Sequence, residues 1–224
     1  MKASEIINLV AVNLQDTDNE TWTRAQLLDN LNDALRTLPG IKPDVSSTVK
    51  TWQLTADTVK QSLPTNDLRL LGHLRNMGAD GNTPGNALRG PVDHDTKDAY
   101  EPGWPAVIGV TSIEEWLYDE RTPTIFYVSP RPHATTAVYV EAAVSAPLTL
   151  MTLETDTIPV RDEHIATLQE WMKFKAFDRD SEVTPNAIRA VKAFKAFFNL
   201  NQVKMQVDIS MSPNTREMLE RQTA

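Results

Sequence analysis

An α+β fold is predicted: a four-helix bundle built from helix pairs at the two ends of the chain, an inserted antiparallel β domain, and an extended carboxyl-terminal tail. Three observations lead there. Apolar residues repeat with helical period before Gly40 and again after Pro159, proline-bounded β-branched and aromatic runs fill the stretch between, and the pattern weakens from about Gln206. The expected divisions are residues 1–45 for the first helix pair, 46–158 for the β domain, 159–205 for the second pair and 206–224 for the tail.

From Ser4, a good N-cap, Ile6, Val10 and Leu14 recur every four residues and share one helical face, so a first helix ends near Gln15 to Asp18. A second begins around Thr21 to Thr23, carries Leu28, Leu31, Leu35 and Leu38, and stops at Pro39-Gly40. The two are expected to pair antiparallel. Val49 to Leu63 reads as two short strands around Ala56-Asp57, a hairpin ended by Pro64. Gly72 to Gly103 concentrates glycine and proline, so it is expected to be mainly loop with one short helix near Val92 to Tyr100.

Strand signals resume at Ile113 to Tyr118, Thr124 to Ser129 and Ala137 to Ala143, an antiparallel sheet or small sandwich. Pro123, Pro130, Pro132 and Pro147 fall at run boundaries, where a missing amide donor costs no ladder bond. Helical period returns with Ile165, Leu168 and Met172, widened by Trp171 and Phe174, in a third helix running to Asp178 or Arg179. Thr184-Pro185 then gives an N-cap and a first-turn proline to a fourth helix. Ile188, Val191, Phe194 and Phe198 line one face of it, and Ala187, Ala190 and Ala193 permit close approach. From Gln206 the chain reads as extended, then as a short polar helix or free tail that orders on a partner.

With 224 residues, 41% of them hydrophobic and 23% charged, the chain can bury a sizeable core. No cysteine is present, which excludes disulfides, thiol chemistry and cysteine-ligated zinc or iron-sulfur clusters. A formal charge of -8 argues against a general nucleic-acid binder. Neither a transmembrane run nor a signal-peptide h-region is visible, so a cytoplasmic product is expected.

Candidate chemistry is sparse. The four histidines are His73, His94, His133 and His164, and His94-Asp95 invites comparison with metal-dependent phosphohydrolases. Such a site needs further ligands on neighbouring helices, whereas His73 lies in a glycine-flanked loop and His133 follows a proline turn. Asp162-Glu163-His164 falls where a helix begins, and acidic residues are favoured there by the helix dipole. Asp119, Glu120 and Arg121 read as a solvated hairpin turn, and no nucleophile-elbow, Walker or dinucleotide glycine motif is present. No catalytic, cofactor-binding or metal residue is therefore assigned.

Lys173, Lys175, Arg179, Arg189, Lys192, Lys195 and Lys204 interleave with Trp171, Phe174, Phe177, Phe194 and Phe197, which reads as aromatics facing the core and lysines reaching solvent. Five tryptophans exceed what a core of this size requires, and tryptophan is enriched at interface hot spots. Trp104, Trp116, Phe126 and Tyr127 stay undivided between core and contact surface.

The order of segments carries a resemblance. A helical pair, a strand pair ending in Leu63-Pro64, a glycine-rich stretch leading to Pro102-Gly103-Trp104, the run Ile125 to Pro132, the strand Val138 to Ala142, Ile158-Pro159 and two helices from Asp162 follow one another. This order resembles the head-to-tail adaptors, or connectors, of tailed bacteriophages over about Ser4 to Asn201. The resemblance implies a non-enzymatic virion protein of the neck, present in the host cytoplasm during assembly. Its protomers would form a dodecameric ring beneath the portal, joined below to tail or nozzle proteins and passing genomic DNA non-specifically through its lumen, with no membrane and no cofactor.

It further implies portal docking by the carboxyl-terminal segment, with Val207, Ile209, Met211, Pro213, Met218 and Leu219 as the contact residues. Asp80 and Asn82 in the glycine-rich stretch, and Asp119 and Arg121 in the later turn, would face tail components. The alternatives are another neck or tail component such as a tail terminator, and a small metal-dependent hydrolase using His94 and Asp95.

Overall fold

In the computed structural model the described residues are 1–180, 182 and 184–211, with the backbone alone for His73 and 207–211. They form an α+β fold that divides into two compact units: a helical unit of Met1–Lys42 and the chain from Leu148 onward, and a β unit, Pro43–Pro147.

In the helical unit, α1 spans Ala3–Leu14, α2 Arg24–Ile41, α4 Ile165–Arg179 and α5 Thr184–Met211. The cap of α1 is Lys2 and not Ser4. Its amide donates to the Glu5 carboxylate at 2.8 Å, and the free amides of Ala3 and Ser4 reach the carbonyls of Asp156 and Glu154 at 2.9 and 2.8 Å. Ile158 N–H donates to the Met1 carbonyl, so the segment after Pro147 is built into this unit as a cap for α1.

Thr23 caps α2, with Gln26 completing a capping box. The expected stop at Pro39-Gly40 is overridden. In the last turn Pro39 forfeits one amide bond only, and Lys42 N–H closes on the Leu38 carbonyl at 2.8 Å.

Helix α4 packs against α1, α2 and α5. The Trp22 indole donates to the Ala176 carbonyl at 3.0 Å and its ring meets Phe177 edge-on, while the Trp171 indole donates to Asp33 at 2.9 Å. The guanidinium of Arg24 grips Glu154 through two nitrogens and reaches Asn8 with a third, at 2.8 Å. This contact holds the Glu154 carboxyl below its ordinary value.

The β unit holds two four-stranded sheets around one apolar core. The strands are β1 Ser47–Gln53, β2 Lys60–Ser62, β3 Arg69–Met77, β4 Pro84–Ala87, β5 Arg89–Val92, β6 Glu115–Tyr118, β7 Ile125–Ser129 and β8 Tyr139–Ser145. The orders are β1-β8-β3-β4 and β2-β7-β6-β5. Phe126, Val128 and Trp116 from one sheet meet Leu70, Leu74, Val140, Ala142 and Val144 from the other. The β5–β6 pair is parallel, so the expected antiparallel domain is mixed.

Two expectations fail here. The hairpin between Val49 and Leu63 is absent, because β1 pairs with β8 and β2 with β7. The turn between them is held by the buried carboxamide of Gln61, which accepts from Thr55 N–H at 2.7 Å and donates to the Thr55 and Thr58 carbonyls. The stretch from Gly72 to Gly103, expected to be mainly loop, instead carries β3, β4 and β5, which places His73 in a strand, while the short helix expected near Val92 to Tyr100 is present as α3, His94–Tyr100. Its glycines serve the sheets. Gly72, at φ +115°, sits at a bulge of β3, and a Cβ at Gly90, at φ +152°, would lie 2.5 Å from the Trp116 carbonyl.

Gly90→Ala is expected to cost about 2 kcal/mol or more, read as a lower urea midpoint at unchanged m-value. The lowered Glu154 value carries a second expectation. A depressed folded-state carboxyl stabilises above its unfolded value and loses that contribution as pH falls through the folded one. The helical unit should therefore lose thermal stability as pH drops below about 4.5, and Glu154→Gln should flatten that decline in a melting series.

Candidate functional site

Helix α5 packs through the alanine row expected to permit close approach, whereas Phe194, expected to face the core, is exposed. Ala190, Ala193 and Phe197 are buried, with Asn201 below them, and the small alanines let the helix lie close along α4. The stripe Ile188, Val191 and Phe194 faces outward instead, at 67%, 54% and 39% exposure. Phe194 stacks with Phe174 of α4 at 5.1 Å and with Phe198 at 4.8 Å. With exposed Met205, Val191, Phe194 and Phe198 form a seam spaced i, i+3, i+7 and i+14 down one flank of the helix.

The other flank is cationic. Arg189 lies over the Phe177 ring at 5.7 Å, and Lys173, Lys192 and Glu170 line a cleft of about 450 Å³ beside the end of α1. The interleaved basic and aromatic residues thus divide. Trp171, Phe177 and Phe197 are core, whereas Phe194 belongs to a surface. On α1, Leu9 and Val12 are exposed in the same manner, at 44% and 61%.

The predicted tail-facing residues occupy two hairpin tips in different sheets. Asp80 and Asn82 lie in the β3–β4 turn, where the Asp80 carboxylate accepts from Asn82 N–H at 3.0 Å and Thr83 N–H at 3.2 Å. Asp119 and Arg121 lie in the β6–β7 turn, with Asp119 accepting from the Arg121 amide at 2.9 Å and its Nε at 3.2 Å. Donation by these amides, Asn82 first for Asp80 and Arg121 for Asp119, holds both carboxyls below their ordinary value. Each aspartate fixes its own turn.

Asp119 and Arg121 share an open cleft with Asp93, His94, Asp95 and Tyr127, which Asp80 and Asn82 do not line. His94 packs edge-on against Tyr127 at 4.9 Å, Asp93 caps α3 through Thr96, and Asp95 lies in the first helical turn. Among the described residues no group of three or more histidines, aspartates or glutamates is placed to hold a metal ion. His133 accepts from the amides of Thr135 and Thr136 through Nδ1, and His164 is buried where α4 begins.

Helix α3 is fastened by charge. Lys97 and Glu115 are both buried and paired at 2.8 Å, with Arg89 also on Glu115 and Glu101 on Lys97. Trp104 donates to Asp98 at 2.7 Å, and the exposed side chains of Tyr100 and Ile108 flank this anchored segment. The tryptophans are not the surface anchors that their number suggested. Trp22, Trp104, Trp116 and Trp171 are buried and Trp52 is half-buried; Phe126 is fully buried and Tyr127 partly so.

The expected extended segment from Gln206 is helical as far as Met211, because α5 runs unbroken over Thr184–Met211. Val207, Ile209 and Met211 therefore lie on its last turns, and Pro213, Met218 and Leu219 lie outside the described residues. Sequence reasoning missed the Val191–Phe198 seam because an outward apolar stripe has the same period as a core stripe. The signal that could have found it is the parallel row of alanines, which marks the closer-packed side.

Braced hairpin tips and an apolar helix flank uncovered among the described residues are features suited to contact with other chains. A family model described as SU10 adaptor protein matches residues 1–217, and the chain belongs to that family. The match agrees with the resemblance to phage head-to-tail adaptors. A search of the curated proteins finds no match. No helix among the described residues is long and apolar enough to cross a membrane.

The buried Lys97–Glu115 pair gives a direct test of how the α3 platform is held. Lys97→Met leaves the buried Glu115 with the exposed Arg89 as its remaining cation and is expected to cost about 2 kcal/mol, whereas the double variant with Glu115→Leu recovers most of it in equilibrium unfolding.

Proposed function

We propose that the chain is a structural head-to-tail adaptor of a tailed bacteriophage. Copies of it form a dodecameric ring beneath the portal, join capsid to tail and continue the DNA channel for genome retention and ejection. The observation that carries this reading is the family match over residues 1–217. The apolar seam of α5 supports it, since a ring protomer needs side faces that a monomer has no use for. The four long helices act in it as one bundle, and no catalytic step is part of it.

Within this reading the chain from Gln206 docks on the portal through Val207, Ile209, Met211, Pro213, Met218 and Leu219. The hairpin tips at Asp80, Asn82, Asp119 and Arg121 meet tail or nozzle proteins. A formal charge of -8 suits a lumen through which DNA must slide without being gripped, because phosphate neutralisation by lysine and arginine would make the duplex adhere.

Two measurements test the proposal. Imaging the protein mixed with its portal should reveal an added ring of density, and a portal that stays bare would refute the placement. Removing residues 206–224 should abolish co-purification with portal while the remaining chain still unfolds cooperatively; undiminished binding would show that docking lies elsewhere.

A further inference from the structure

The α5 seam is uncovered among the described residues, and the rest of the helical unit offers a matching surface. Helix α1 turns Ile6, Ile7, Val10 and Leu14 into the core and presents Glu5, Leu9 and Val12 outward at i, i+4 and i+7. This is a narrow stripe of two aliphatic side chains with a carboxylate at one end. The turn beyond α1 adds Asp18 and Glu20, both exposed, while Asp16 is engaged by the amides of Glu20, Thr21 and Trp22. Between Ala3 and Thr23 there is no lysine or arginine.

The α5 flank has the opposite character. Its apolar row of Val191, Phe194, Phe198 and Met205 runs beside the exposed ammonium group of Lys195, with Lys192 further round the helix, and Asp208 is the only acid of the helix. An apolar stripe edged with carboxylates and an apolar stripe edged with ammonium groups are complementary in both chemistry and spacing. They lie on different helices, so their pairing between copies is head-to-tail and leaves one free stripe of each kind at the ends, the geometry that closes a ring.

We infer that the Val191–Met205 seam of α5 takes the Glu5–Leu9–Val12 face of α1 from a neighbouring copy. This deepens the ring reading and rests on it. Val191 and Phe198 receive Leu9 and Val12, and Lys195 lies against the carboxylates of the neighbour.

The absence of native cysteine makes the contact directly testable. Full-length Val12→Cys and Val191→Cys proteins, mixed and oxidised in the presence of portal, should form a disulfide heterodimer. Its yield should exceed that of Val12→Cys with Val49→Cys, an exposed position of the β unit, by about tenfold. Val191→Glu changes an exposed residue. In a Val12→Cys and Phe198→Cys mixture, adding it to the second chain should lower the yield about tenfold by setting a carboxylate against Glu5.

A chain carrying both Val12→Cys and Val191→Cys should give a ladder that ends in a closed ring. A yield no higher than the control, or Val191→Cys joining mainly to itself or to the portal, overturns the contact. Rings imaged without a ladder also overturn it and leave the ring reading standing. A ladder that grows without closing keeps the contact and overturns the ring, and neither ladder nor rings overturns both.

Discussion

The helical unit depends on the Trp171 indole. Its N–H donates to Asp33 of α2, from which it is separated by 138 positions in sequence, and Lys175 approaches the same carboxylate at 3.2 Å. The ring of Trp171 lies against Phe197 at 4.7 Å and Phe174 at 5.3 Å. One residue thus fixes the rotation of α4 about its axis, joins it to the amino-terminal helices, and sets which side of α5 is drawn inward. Phe197 is buried against Trp171, and Phe194 and Phe198 lie on the outer side of the same aromatic cluster. The contact seam is a consequence of how the core is locked.

The β unit solves a different problem, that of two sheets whose strands switch partners out of sequence order. Side-chain amides supply the missing ladder bonds. Asn76 on β3 exchanges bonds of 2.7 and 2.8 Å with the backbone of Ile113, as a neighbouring strand would, and Gln61 does the same for the turn before β2. Buried amides with all these bonds made specify one arrangement, because any slip strands them without partners. Stiffness at the hairpin tips follows from that, and it suits a surface that meets its partner already ordered.

Helices were legible where period and cap agreed, as at Thr23, and strands where β-branched and aromatic residues ran together, as in β7 and β8. Glycine misled the reading of β3 to β5. Gly72 and Gly90 stand inside strands because the bulge holds Gly72 at a positive φ and the Trp116 backbone leaves no room for a Cβ at Gly90, tertiary demands that local sequence does not carry. Partner choice by β1 and β2 was hidden for the same reason, since pairing with β8 and β7 depends on residues far along the chain. The facing of α5 was hidden because both its stripes are apolar and only packing ranks them.

The amides of Ala3 and Ser4 end on carbonyls that lie beyond the β unit in the chain. On the ribosome, α1 and α2 therefore emerge with their start uncapped and their leucine faces bare, and they must wait until all of Pro43–Pro147 has been translated before Glu154, Asp156 and α4 arrive. The β unit is contiguous and can mature during that interval. The helical unit, and with it the α5 seam, is thus completed last, which delays exposure of an adhesive flank until the rest of the subunit is finished.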